Sequence, residues 1–178
     1  MPRPRLKLTI PTRRSIASLV GAVSLGALLL PLAAAQANTS HAGWPVIARQ
    51  DEQIARTAAG VTFTGHPGVH NELLGGNGSD TLTAGNIGDV LWGDHVPDSQ
   101  STSQVDTMIG GAGNDFFYAS HGKNIISTGG GMNIVHAHYG YGSITCGSKS
   151  DIVYLSHKSR PGYKLIGCKH ISYATVGF

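Results

Sequence analysis

The chain has 178 residues, of which 25 are glycine and two cysteine, with a formal net charge of +3. That length bounds it to one small domain. Five of the basic residues (Arg3, Arg5, Lys7, Arg13 and Arg14) precede residue 38, where no acid stands. The remainder has eight basic against ten acidic residues, net −2, which excludes the nucleic-acid-binding class that the whole-chain charge suggests.

Residues 1–15 are basic and broken by proline, and Ile16–Ala35 is a nearly continuous apolar run. Ala35-Gln36-Ala37 supplies a small-x-small cleavage signature. The run is long enough, at about 20 residues, to anchor a chain in a membrane; the cleavage signature favours removal instead. Thr12-Arg13-Arg14-Ser15-Ile16 resembles a twin-arginine export motif. The expectation is a signal peptide over 1–37 and a secreted mature chain that does not span a membrane. Residues 38–65 then form an N-terminal segment or cap, with a short helix around Pro45–Ala59.

The exported part is electrically divided. Residues 38–118 hold nine acids against Arg49 and Arg56, whereas 119–178 hold Asp151 against six bases. An acidic, glycine-rich first half with almost no lysine points to a cation binder.

From residue 66 a nine-residue period appears. Residues 75–83 read GGNGSDTLT, 84–92 AGNIGDVLW, 110–118 GGAGNDFFY and 119–127 ASHGKNIIS; 128–136, 137–145 and 146–154 follow in step, and 66–74 precedes. The 17 residues between Trp92 and Gly110 divide into an insert near 93–100 and a unit at 101–109. The eighth position is apolar in all nine units: Leu73, Leu82, Leu91, Met108, Phe117, Ile126, Val135, Ile144 and Val153. The sixth reads Asn71, Asp80, Asp89, Asp106, Asp115, Asn124, Asn133, Gly142 and Asp151. Each unit is then a glycine turn followed by a three-residue strand whose eighth position points inward. Two units make one coil, so the nine predict an all-β parallel solenoid over 66–154, with 155–178 as a C-terminal cap.

Cys146 and Cys168 lie 22 residues apart in the exported part. A disulfide is the expected state there, the alternatives being free thiols or half a zinc site, which lacks CxxC spacing.

The repeat G-G-x-G-x-D-x-U-x, most faithful at Gly75–Thr83 and Gly110–Tyr118, resembles the calcium-binding nonapeptide of RTX, or haemolysin-type, proteins. The cysteine-paired ending resembles the cap of small exported bacterial proteins with these repeats. The resemblance implies a parallel β-roll with Ca²⁺ held between stacked turns by glycine-turn carbonyls and by sixth-position aspartates of units n and n+2. Carried onto this chain, it pairs Asp80 with Asp106 and Asp89 with Asp115, and assigns carbonyl ligands to Gly76, Gly78, Gly111 and Gly113. Calcium, a hard ion taking six to eight oxygens, suits such turns, with affinity in the weak extracellular range of roughly 10⁻⁴–10⁻³ M. Asp94 and Asp98 in the insert read as solvated loop acids. Asn124 and Asn133 read as an asparagine ladder in a calcium-independent second half, and Asp151 as structural.

Outward positions differ between the two sheets. One carries Val90, Trp92, Phe116, Tyr118, Ile134, His136, Ile152 and Tyr154, an aromatic stripe expected to be covered by Trp44–Gly60 or Leu155–Phe178, or else to meet a glycan or cell-surface partner. The other carries threonines and serines, among them Thr81, Thr83, Ser143 and Thr145, resembling ice-binding solenoids but interrupted by Ile109 and Ile125. His136 and His138, near His121, read as coincidental in a chain with nine histidines. No nucleophile elbow, HExxH or phosphate loop occurs. The leading expectation is a non-enzymatic, exported calcium-binding repeat protein with a structural or adhesive role. The alternative is a calcium-independent carbohydrate- or surface-binding solenoid, ahead of a polysaccharide-acting enzyme or an ice-binding protein.

Overall fold

The structure, a computed structural model, describes residues 51–96 and 100–174. The signal segment 1–37, the N-terminal part of the Pro45–Ala59 helix and Asp98 lie outside these residues.

Thirteen strands follow one another: β1 Asp51–Ile54, β2 Thr62–Thr64, β3 Asn71–Leu74, β4 Thr81–Thr83, β5 Val90–Trp92, β6 Val105–Ile109, β7 Phe116–Tyr118, β8 Lys123–Ser127, β9 Ile134–Ala137, β10 Tyr141–Thr145, β11 Ile152–Leu155, β12 Tyr163–Ile166 and β13 His170–Ser172. Odd-numbered strands form one seven-stranded sheet and even-numbered strands a six-stranded one. All pairings are parallel. Because consecutive strands alternate between sheets, the chain winds as a solenoid of about seven turns. No described helix is long and apolar enough to cross a membrane.

The core follows from the strand pleat. The nine eighth-position residues are at most 1 % exposed and fill the lumen as one cluster. Their neighbours along each strand point outward, as a two-residue side-chain period requires.

The ladder runs past both ends of the nonapeptide array. At the N-terminal end β1 pairs with β3 and β2 with β4. The helix expected around Pro45–Ala59 gives way to a strand at Asp51–Ile54. An open parallel edge offers unpaired N–H and C=O groups that an extended segment satisfies and a helix cannot. Gln53 stands level with Leu73, and its Nε2 donates to the Thr64 carbonyl at 2.8 Å, bridging from β1 to the end of β2. At the other end β12 and β13 add to β10 and β11, linked by a single 3-10 turn at Arg160–Gly162.

Cys146 and Cys168 form a disulfide that joins the exits of β10 and β12. Tyr163, 3 % exposed, lies level with Gly142 and donates its hydroxyl to the Tyr139 carbonyl at 2.8 Å, while Asn124 Nδ2 donates to that hydroxyl at 3.1 Å.

Three members of the aromatic stripe are buried, Val90 at 6 %, Phe116 at 0 % and His136 at 1 % exposed, while Trp92, Tyr118, Ile134, Ile152 and Tyr154 are half-buried. The end strands β1 and β13 extend this sheet at its edges, and residues 44–50 and 175–178 of the segments expected to cover it lie outside the described residues. His136 stacks between Phe116 and Tyr154, with centroids at 5.0 and 4.8 Å. On the opposite face Thr62 and Thr64 fall in register with Thr81 and Thr83, but Ile109, Ile125 and Ile166 interrupt the threonine rows.

Candidate metal centre

Each coil has two turns, and the sixth-position side chains of successive coils stack into two ladders. One holds Asp80, Asp106 and Asn124; the other holds Asn71, Asp89, Asp115, Asn133 and Asp151. The register carries across the insert, with Thr81 opposite Thr107 and Val90 opposite Phe116. Asp80 and Asp106 are therefore one coil apart, as are Asp89 and Asp115.

The ladders are built by one repeated hydrogen-bond scheme. In five members Oδ1 accepts the backbone N–H of the sixth-position residue one coil earlier: Asp89 from Asn71 at 2.6 Å, Asp106 from Asp80 at 3.0 Å, Asp115 from Asp89 at 2.9 Å, Asn133 from Asp115 at 2.8 Å and Asp151 from Asn133 at 3.0 Å. Asp80 Oδ1 instead accepts the Val61 N–H at 2.8 Å, and Asn71 and Asn124 Oδ1 accept N–H groups of their own turns, from His66 at 2.8 Å and Ser120 at 3.0 Å. The other oxygen closes the residue's own turn, Asp80 accepting the Gly76 N–H at 2.8 Å and Asp115 that of Gly111 at 2.7 Å. Asn133 also donates its amide to Asp151 Oδ1 at 2.9 Å, so asparagine continues the stack without adding charge.

Burial makes these carboxylates electrostatically expensive. Asp80, Asp89, Asp106 and Asp115 are at most 2 % exposed, and among the described residues no lysine or arginine pairs with them. Desolvation pushes Asp106 up to about 6; the Asp80 charge adds to it, while the Ser120 hydroxyl and the Asp80 N–H oppose it. Desolvation likewise pushes Asp115 up to about 6, with the Asp89 charge a smaller contribution. Asp80 is raised by burial too. Among the described residues, only His95 offsets the charge of Asp80 from outside the ladder. Stacked, desolvated carboxylates without a lysine or arginine partner are a donor set for an oxygen-preferring divalent cation, whose charge removes the repulsion.

The glycine turns allow this stacking. A Cβ on Gly111 would lie 1.8 Å from the Gly85 oxygen, and one on Gly113 2.2 Å from the Gly88 nitrogen; a Cβ on Gly76 would lie 2.8 Å from the Thr57 oxygen and one on Gly78 2.7 Å from the Gly60 nitrogen. The Gly111 carbonyl also accepts the Gly130 N–H at 2.8 Å.

Asp94 is not the solvated loop acid that the sequence suggests. It is fully buried, and one oxygen of each of Asp80, Asp94 and Asp106 lies within 4.8 Å of the others. Burial, followed by the charge of Asp106, pushes Asp94 up to about 7. Gln104, 5 % exposed, donates to its Oδ2. Neither residue sits at a sixth position, so the repeat pattern carried no signal for them beyond their lying in or beside the insert.

Residues 70–95 and 101–135 match, in four copies, the family described as the RTX calcium-binding nonapeptide repeat. No curated protein and no solved structure matches the chain.

Proposed function

We propose, from the premise that this is a protein of RTX repeats that bind Ca²⁺, that it acts as an exported, non-enzymatic calcium-stabilised roll with a structural or adhesive role. The observation that carries the reading is the set of stacked, buried carboxylates without a lysine or arginine partner among the described residues. Asp80 with Asp106, and Asp89 with Asp115, are the proposed carboxylate ligands. Carbonyls of Gly76, Gly78, Gly111 and Gly113 complete the shells, Gly111 through the lone pair not used by Gly130. The ion then holds together turns that mutual repulsion would otherwise open, so binding and folding are coupled.

The alternative, a glycan or cell-surface partner, would meet the half-buried Trp92, Tyr118, Ile134, Ile152 and Tyr154 of the aromatic sheet; we favour the ladders because their buried carboxylates have no lysine or arginine partner among the described residues.

Calorimetric titration with CaCl₂, followed by circular dichroism with and without chelator, tests the reading. We expect saturable binding, a chelator-dependent loss of ordered strand signal and loss of one binding event in Asp115→Ala. An absence of heat together with an unchanged spectrum on chelation would remove it.

A further inference from the structure

We propose that the insert between β5 and β6 completes a calcium site of its own kind, in which Asp94 adds a third carboxylate to Asp80 and Asp106 and Gln104 adds an amide oxygen. The proposal rests on the reading that the repeats hold Ca²⁺ and specifies one site within it.

The register sets the placement. Leu74 pairs with Trp92, so Gly75 is level with Gly93 and Gly76 with Asp94; a Cβ on Gly75 would lie 2.0 Å from the Gly93 oxygen. Asp94 thus stands in the stack where the second glycine of a unit stands elsewhere. That glycine has a specific task. Its N–H closes the turn on the unit's own carboxylate, from Gly76 to Asp80, Gly85 to Asp89 and Gly111 to Asp115. Asp106 receives no such N–H among the described residues; its Oδ2 accepts the Ser120 hydroxyl of the next coil. Where the insert removes a donor, it delivers a carboxylate.

A second observation points to a ligand. Gln104 donates its Nε2 to Asp94 Oδ2, which leaves Gln104 Oε1 and Asp94 Oδ1 as buried acceptors with no hydrogen-bond donor. Gln104 is more than nine-tenths buried and its amide nitrogen contacts both Asp94 and Asp106, so rotating that amide by half a turn brings the orphaned oxygen to the same cluster. Buried acceptors are normally satisfied. Two orphans beside three gathered carboxylates form an all-oxygen set that a hard cation satisfies at once. Calcium accepts such an irregular set, whereas magnesium requires near-ideal octahedral geometry. Affinity rises with ligand charge, so this three-carboxylate site is the tightest in the chain.

Titration of the full chain and three variants with CaCl₂ tests this. Asp94→Asn is expected to weaken the tightest step at least tenfold and Gln104→Leu severalfold, while Asp115→Asn leaves that step and removes a weaker one. Without calcium, Asp94→Asn should melt at a higher temperature than the parent, because one of three repelling charges is gone. An Asp94→Asn isotherm superimposing on the parent's, with Asp115→Asn still losing a step, overturns this inference and leaves the repeat reading standing. A lower melting temperature for calcium-free Asp94→Asn also overturns it, as does an equally tight step with MgCl₂. No heat from the parent at millimolar calcium overturns both.

Discussion

Gly111→Ala places the first added carbon 1.8 Å from the Gly85 oxygen, about 1.6 Å short of ordinary contact. The obstacle is backbone on both sides, so no side chain can swing away. Turns 84–89 and 110–115 must separate, against a coil spacing of about 4.8 Å. Overpacking of this kind costs about 1–3 kcal/mol, and distortion of the Gly111 N–H to Asp115 bond, charge-assisted at 2.7 Å, costs a further ~1.5–3 kcal/mol. The sum is roughly 2.5–6 kcal/mol, or a fall in Tm of about 10–24 °C at ~4 °C per kcal/mol. Gly130→Ala is the internal control, since its Cβ meets nothing nearer than the Ala112 Cα at 3.4 Å; a change within ~0.5 kcal/mol is expected there. Thermal melts by circular dichroism in saturating calcium compare the two, and calorimetry should show Gly111→Ala losing the step assigned to Asp89 and Asp115. Equal melting temperatures for the two variants would refute the argument that backbone-to-backbone turn contact builds the site.

Calcium affinity should rise with pH from about 5 to 7 and level off above it. Asp94 is pushed up to about 7 and Asp106 and Asp115 to about 6, so protons occupy the candidate ligand oxygens below those values and compete with the ion. Titrations at pH 5, 6 and 7.5 decide this, and a flat profile contradicts it. Stability is a less direct readout. In the calcium-free protein the raised aspartates bind more protons when folded and favour the fold at low pH, losing that advantage as pH rises to 7. His136, lowered to about 4 by burial, binds fewer protons when folded and works in the opposite direction. Replacing Cys146 and Cys168 by serine opens a disulfide of sequence separation 22 and should cost about 3 kcal/mol, seen as a melting temperature about 10 °C lower. Calcium stoichiometry should not change, because the bridge ties turns beyond Asp115; a lost binding step would contradict that.

The period-nine pattern was informative because each unit encodes its own geometry. Glycines permit the close turn, the eighth position must be apolar to face the lumen, and the sixth must carry an oxygen that reaches two N–H groups. Leu82, Phe117 and Val135 could thus be placed inside from spacing, whereas setting Asp80 and Asp89 opposite partners one coil away also drew on the resemblance to RTX repeats and on where the insert was placed. Asn133 was readable as a ladder member for the same reason: its amide supplies the acceptor oxygen and a donor besides.

The ends and the insert obey no such local rule. Asp51–Ile54, Tyr163–Ile166 and His170–Ser172 lack the glycine turn, and they become strands because the roll presents open parallel edges that template extended chain. Tyr163 fills the level where Gly142 leaves a gap, a match between residues that only coiling brings together. Asp94 lies in the insert and Gln104 at the fourth position of its unit, where the repeat asks for glycine, so spacing assigned neither a ligand role. The sequence by itself determined the winding, the lumen and the two ladders, since these repeat with the chain. Only the tertiary structure decided which additional groups enter a ladder, because an insert's path depends on the coils stacked above and below it.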